Sequence, residues 1–126
     1  MRERLLCTPE SASQARAMLR RLAAPLSKSD LSTAALVLTE LVTNAIRHGC
    51  PEPGGEIEVA IRRSSGKIRF EVTQPRPLYD PQAVRVRKPG VDRGWGVLIV
   101  ERLSSNWGLD GQSRTSWAEV PVDAGD

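Results

Sequence analysis

Two short runs of alternating residues constrain the fold of this chain more than any other feature. Residues 57–61 and 68–72 each place apolar side chains at every second position, and Ser64-Ser-Gly66 lies between the two runs. Such alternation on either side of turn residues predicts a β-hairpin with one apolar face. A sheet of this kind needs a second layer that covers its apolar face.

Two stretches ahead of the hairpin have the apolar spacing of helices and can supply that layer. Residues 8–11 are typical of a helix start, with Thr8 as the N-cap and a proline at the first helical position. Residues 27–30 form a second start signal, ahead of a helix over residues 31–48. Glycine and proline in residues 49–51 end that second helix.

The chain after the hairpin completes the same architecture. Residues 74–93 hold four prolines and five basic residues without regular periodicity, which predicts a long, functional loop. Gly94-Trp-Gly96 then precedes a third helix, and strands around residues 107–109 and 116–120 close the chain. The order β-α-α-β-β-loop-α-β-β predicts an α+β two-layer sandwich in one domain over residues 1–126.

Charge, hydropathy and cysteine usage narrow the class of protein. The net charge of +3 comes from basic residues spread along the chain, so no basic stripe for direct binding to nucleic acid is predicted. No apolar run approaches the roughly 20 residues of a membrane span, and no signal peptide follows the charged N-terminus. We therefore expect a cytoplasmic protein without a membrane partner. Cys7 and Cys50 are expected as thiols in a reducing compartment, with a disulfide as the less favoured alternative.

A narrow polar stripe on the second predicted helix is the first candidate site. Glu40, Asn44 and Arg47 share one side of a helix that is apolar around most of its circumference. One interpretation is a solvated face with a favourable Glu-to-Arg contact. The other is the wall of a cleft for metal-assisted phosphoryl transfer. There a carboxamide oxygen binds Mg²⁺, and a carboxylate one turn away orients the attacking hydroxyl.

The start of the third helix is the second candidate site. Glycines in Arg93-Gly-Trp-Gly96 allow close approach of the backbone, and free N–H groups at a helix start attract a phosphate. The same pattern also forms ordinary tight turns. The basic residues of the preceding loop either bind phosphates or an acidic partner, or are simply solvated. Trp107 and Trp117 are expected as core anchors of the closing strands.

Three segments together resemble a known family. LVLTELVTNAIRHG resembles the N box of the histidine-kinase-like (GHKL, Bergerat-fold) ATPases, in the form found in bacterial anti-sigma-factor serine kinases. DRGWGVLIVERLSSNWG resembles their second glycine box, and SRTSWAEV resembles their closing strand. The resemblance runs from about residue 8 to residue 120. It implies a mixed, mostly antiparallel sheet with helices on one face.

The resemblance also implies roles for individual residues. Glu40 would be the general base toward a protein serine hydroxyl, and Asn44 would bind Mg²⁺. The residues that would contact or shape the site of ATP, under a lid over residues 74–93, are Asn44, Arg47, His48, Gln74, Gly94, Trp95, Gly96, Val97 and Thr115.

One end of the site departs from the family pattern. Gln74 stands where the family has an aspartate that accepts from the adenine amino group, and Arg76 and Leu78 stand where glycines are expected. A glutamine can still pair with adenine, but it loses the charge-assisted bond. Side chains in place of glycine also restrict the backbone and the space for adenine. These changes imply altered or weakened nucleotide binding.

Two functions therefore follow from the resemblance. The first is an ATP-binding regulator that phosphorylates a serine on an anti-sigma-factor antagonist. The second is a partner-binding module that sequesters a sigma factor without turnover of ATP. Members of the family act as dimers, so a homodimer is also implied.

Overall fold

The computed structural model of the chain describes residues 1–22, 26–51, 54–78 and 94–123, and for residues 94–97 it describes the backbone alone. The eight elements in chain order are β1 (Arg2–Leu6), α1 (Ser11–Leu22), α2 (Lys28–Gly49), β2 (Glu56–Ser64), β3 (Lys67–Thr73), α3 (Gly94–Leu103), β4 (Asn106–Asp110) and β5 (Thr115–Pro121).

The five strands form one sheet in the order β1-β2-β3-β5-β4. All four strand pairings within the described residues are antiparallel. The last strand, β5, thus lies inside the sheet between β3 and β4. The three helices pack on the sheet and on one another, with α2 between α1 and α3. The predicted α+β two-layer sandwich is confirmed, and so is the order of its helices and strands within the described residues. The mixed character that the resemblance implied is not seen among the described pairings, which are all antiparallel.

The alternating residues of the hairpin face the helices as predicted. Ile57, Val59 and Ile61 of β2 are at most 1% exposed, and the inward apolar residues of β3 and β5 are equally buried. They meet the apolar side of α2, where Val37, Leu38 and several neighbours are also buried. Because α2 contacts α1, α3 and strands β2, β3 and β5, it is the central helix of the fold. Of the helices in the described ranges, none combines the length and apolar character that a bilayer crossing requires.

Local start and stop signals explain both ends of α2. Ser27 is the N-cap of α2, and its side chain accepts a hydrogen bond from the Asp30 N–H at 3.0 Å. At the other end α2 stops at Gly49, with Cys50 as C-cap. The predicted start of α1 at Pro9 is wrong by two residues. The helix begins at Ser11, whose hydroxyl bonds to the Leu6 carbonyl, because the chain first turns at Thr8.

The two cysteines form a disulfide, so the prediction of two thiols is wrong. Cys7 follows β1, Cys50 ends α2, and their Cα atoms lie 6.1 Å apart across a sequence separation of 43 residues. The packing of α1 and α2 against the sheet brings the end of β1 and the end of α2 together. The expectation of a reducing compartment therefore loses its support from the cysteines.

The outer face of the sheet carries charged side chains and one flat aromatic ring. Arg69 donates hydrogen bonds to Glu71 and Glu119, and its guanidinium lies 4.3 Å from the centre of the Trp117 ring. The prediction of Trp117 as a core anchor is thus wrong, whereas Trp107 does pack against the core. Hydrogen bonds from Arg69 and Lys67 hold the pKa of Glu119 below its ordinary value. Those bonds make the outer face a connected ionic surface.

Candidate functional site

The polar stripe of α2 is partly covered by the rest of the fold. Glu40 and Asn44 are half-buried, whereas Arg47 is exposed and His48 is half-buried near the end of the helix. Four residues along a helix correspond to about 6 Å, so the carboxylate and the carboxamide lie one above the other. A half-buried pair on the central helix fits a cleft wall better than a freely solvated face.

The start of α3 supplies the second part of the site. The helix begins at Gly94, so Gly94-Trp-Gly96 forms its first turn rather than a separate turn ahead of it. The first N–H groups of a helix have no partner within the helix and attract anions. Since α3 packs against α2, this helix start belongs to the same side of the sheet as Asn44. The side chains of Trp95 and Val97 lie outside the described part of the chain.

Gln74 occupies the third part, directly after β3, and its carboxamide is engaged with its own loop. The side chain is 6% exposed, and its Nε2 donates to the Arg76 carbonyl at 3.0 Å and to the Pro77 carbonyl at 3.4 Å. The Gln74 N–H donates to the Arg114 carbonyl at 3.0 Å. With both amide hydrogens used, Gln74 has no donor left for a ligand in this arrangement.

Gly49 permits this placement of Gln74. A Cβ at residue 49 would lie 2.5 Å from Gln74 Oε1 and 2.6 Å from Gln74 Cβ, and it would also meet Cδ. The Gly49 carbonyl accepts from the Arg76 N–H at 2.9 Å. The end of α2 and residues 74–76 are therefore closely fitted, and no residue other than glycine fits at position 49 without a shift. Sequence reasoning took Gly49 as a helix stop alone and missed this contact.

Arg114 is a second residue that sequence reasoning missed. It has φ of +57°, a conformation that disfavours residues with a Cβ, and it is the one such non-glycine residue in the described ranges. Its Nη1 donates to the Pro75 carbonyl at 2.6 Å. From the turn between β4 and β5, Arg114 thus holds the segment after β3 by both its backbone and its side chain. A turn signal alone gives no indication of such a bond.

Thr115 lies apart from the other candidate residues. Its Oγ1 is 2.8 Å from Thr73 Oγ1 and donates to the Ser113 carbonyl at 3.1 Å, on the outer face of the sheet. Ser116, the next residue, is 9% exposed on the helix side, with its hydroxyl 3.5 Å from the Val72 carbonyl. The structure therefore brings Gln74 to the end of α2 but does not bring Thr115 to that side. The role assigned to Thr115 stays a prediction.

Asn44 on α2 suits Mg²⁺, because this metal takes only a few of its ligands from the protein. Magnesium keeps several waters and phosphate oxygens and takes one or two protein oxygens, and the half-buried Asn44 carboxamide offers such an oxygen. Within the described ranges, no three His, Cys, Asp or Glu side chains form a group that would hold a metal by themselves. Residues 79–93, which make up most of the predicted lid, lie outside the described residues.

Comparison with known proteins identifies the family of the chain. Residues 5–115 match the model of the histidine kinase-like ATPase domain. The sensor histidine kinase DcuS of Escherichia coli (strain K12) is 31% identical over 88 residues, which is 65% of this chain and 16% of that protein. DcuS of Shigella flexneri gives the same values. The chain thus spans about a sixth of the length of these relatives.

A solved structure supports the fold. The Acinetobacter baumannii histidine kinase AdeS superposes with a TM-score of 0.54 over 98% of this chain and 68% of that chain, at 15% identity. At this identity the likeness concerns the fold and not the chemistry. Taken with the match over residues 5–115, these findings show that the chain belongs to the histidine kinase-like ATPase domain family.

Proposed function

We propose that this domain binds Mg-ATP and transfers the γ-phosphoryl group to a serine of an anti-sigma-factor antagonist. The observation that carries the proposal is the half-buried pair Glu40 and Asn44, one turn apart on the central helix. The family of this chain, and its similarity to proteins described as sensor histidine kinases, support ATP as the phosphate donor. The serine acceptor rests on the resemblance of residues 36–49 to anti-sigma-factor kinases.

Each residue has one task in this proposal. The Glu40 carboxylate accepts the proton of the serine hydroxyl while the serine oxygen bonds to the γ-phosphorus and the bond to the bridging oxygen breaks, releasing ADP. Asn44 would hold Mg²⁺, which neutralises charge on the phosphates when it is bound. The N–H groups at the start of α3 and the exposed Arg47 would contact phosphate oxygens.

The second candidate function is a partner-binding module that sequesters a sigma factor without productive use of ATP. The carboxamide of Gln74 supports it, because both amide hydrogens bond to the carbonyls of Arg76 and Pro77. An adenine amino group would need an acceptor from Gln74, and the side-chain acceptor, Oε1, lies against Gly49. The homodimer that the resemblance implies is compatible with either function and stays a prediction.

Calorimetry with Mg-ATP separates the two functions. Binding tighter than about millimolar, lost in Asn44→Ala, supports the first function. Asn106→Ala is the matched control, because Asn106 is an exposed carboxamide on the outer face of the sheet and should leave binding unchanged. Absence of heat at high protein concentration would reject the first function.

Two further variants resolve the roles of individual residues. Gln74→Asp restores the acceptor that the family uses and should strengthen binding of ATP if the adenine contact alone is impaired. If binding does not change, the side chains of Arg76 and Leu78 are the obstruction. Glu40→Ala should lower phosphate transfer by about 10²–10⁴-fold with little change in binding of ATP. The exposed Glu10, changed to alanine, provides the control, and an unchanged rate in Glu40→Ala would exclude Glu40 as the base.

A further inference from the structure

The disulfide joins the end of β1 to the end of α2, beside the candidate site. Cys7 follows β1 and Cys50 is the C-cap of α2. The Cys7 N–H also donates to the Gly55 carbonyl at 3.0 Å. Gly55 packs closely on Pro51, since a Cβ added at Gly55 would lie 2.9 Å from Pro51 Cδ. The end of α2 is therefore fixed to the sheet by one covalent bond and by the short connection to β2.

The same end of α2 holds the segment that follows β3. Gly49, the neighbour of Cys50, accepts the Arg76 N–H at 2.9 Å and lies against the buried carboxamide of Gln74. Asn44 stands six residues before Cys50 on the same helix, roughly 9 Å along its axis. A displacement of the helix end would thus act directly on Gln74 and Arg76.

We propose that the Cys7–Cys50 disulfide is a redox-operated clamp on this edge of the site. In the oxidised form, the helix end holds Gln74 against Gly49 with its amide hydrogens bonded to the loop. In the reduced form, the helix end separates from residues 74–76, and the Gln74 carboxamide becomes available. The effect on ATP rests on the function proposed above, whereas the clamp itself rests on the contacts of Cys50, Gly49 and Arg76.

The chemistry requires a dithiol reductant, of either small-molecule or protein origin. One thiolate of the dithiol attacks a sulfur of the disulfide, forms a mixed disulfide and releases the other cysteine as a thiolate. The second thiol of the reductant then displaces the remaining cysteine. Two electrons and two protons pass to the protein, and the reductant becomes a disulfide. Exchange with an oxidised dithiol reverses both steps.

Hydrogen exchange at the Arg76 amide tests the clamp without reference to nucleotide. Wild-type protein is measured by NMR in its oxidised form and after addition of dithiothreitol, together with Cys7→Ser/Cys50→Ser. We expect exchange of the Arg76 amide to become at least about tenfold faster in the reduced protein and in the double variant. The Phe70 amide, in the centre of the sheet, is the internal reference for global unfolding, which becomes easier when the disulfide is lost. In the reduced protein the Arg76 amide should be at least about tenfold less protected than the Phe70 amide.

Two results would overturn the clamp. One is equal exchange of the Arg76 amide in all three samples. The other is equal protection of the Arg76 and Phe70 amides in the reduced protein, which would mean that Arg76 opens only when the whole fold unfolds. Because dithiothreitol is added to protein that is already folded, the test remains decisive even if the double variant does not fold.

Calorimetry then measures the consequence for the nucleotide. Reduced protein should bind Mg-ATP about tenfold more tightly than oxidised protein if the open arrangement rises from about a tenth to nearly all of the population. Faster exchange at Arg76 without heat from ATP in either form would uphold the clamp and reject the ATP-binding function. Equal affinity in both forms, with faster exchange at Arg76, would overturn the proposed effect on the site.

Discussion

Gly49→Ala tests the close fit between the end of α2 and the segment after β3. The new methyl group would lie 2.5 Å from Gln74 Oε1 and 2.6 Å from Gln74 Cβ, whereas ordinary contacts between such atoms are about 3.5–4.0 Å. Because Cβ is fixed to the backbone, rotation of the glutamine side chain cannot remove the clash. Overpacking of this kind costs about 1–3 kcal/mol.

A gain in helix propensity offsets part of this cost. Alanine is favoured over glycine by about 1 kcal/mol inside a helix, and by less at a terminal position such as residue 49. We therefore expect Gly49→Ala to lower the free energy of unfolding by about 1–2 kcal/mol. Urea denaturation followed by tryptophan fluorescence measures this change as a shift of the midpoint at constant slope.

A double-mutant cycle identifies the contact that causes the loss. In the Gln74→Ala background the Cβ clash remains, so part of the cost should persist. In the Gln74→Gly background every side-chain atom that the new methyl group would meet is gone, and Gly49→Ala should be neutral or stabilising. Gly111→Ala is the control, since a Cβ there meets no atom within 4 Å, and it should change stability by less than about 0.5 kcal/mol. An equal cost of Gly49→Ala in all three backgrounds would refute the reasoning.

Three other measurements test features away from this contact. Cys7→Ser should lower the free energy of unfolding by about 4 kcal/mol, from the loop entropy of a 43-residue separation, and dithiothreitol should affect wild type alone. Gly108→Ala should displace the Trp117 ring, since its Cβ would lie 2.9 Å from Cζ2, and change the fluorescence spectrum; an unchanged spectrum contradicts this placement. Because the pKa of Glu119 is lowered in the folded protein, its ion pairs add stability at pH values above the ordinary pKa of 4.5. That stability is lost as the pH falls through the lowered pKa. Glu119→Gln should therefore show a smaller shift of urea midpoint than wild type between about pH 7 and about pH 3; an equal shift contradicts the ion pairs.

Features with local causes were predicted well from the sequence. The hairpin follows from alternation and from Gly66, which has φ of +83° in the turn. The start of α2 follows from Ser27, whose side chain bonds three residues ahead. The placement of Glu40 and Asn44 on one side of α2 follows from helical spacing, and both residues are half-buried. In each case the interacting residues lie within a few positions of each other.

Features that depend on distant residues were missed or predicted wrongly. The disulfide joins positions 43 residues apart. Nothing in the spacing of two cysteines indicates that the end of β1 meets the end of α2. The bond from Arg114 to Pro75 spans 39 positions for the same reason. The outward position of Trp117 could have been found, because Ala118 and Val120 are the inward residues of the same strand. The prediction gave more weight to the aromatic character of Trp117 than to the two-residue alternation of the strand.

The position of β5 within the sheet has a consequence for synthesis of the protein. Among the described strands, β4 pairs with β5, and β3 pairs with β2 and β5, so the strand made last joins the sheet in its interior. While the ribosome is still adding residues 115–121, β3 exposes the edge that β5 will cover, and β4 lacks the partner that it has among the described strands. Pairings this distant in sequence also form slowly. The nascent chain should therefore depend on chaperones until its last strand emerges, and a truncation before residue 115 should leave an aggregation-prone edge.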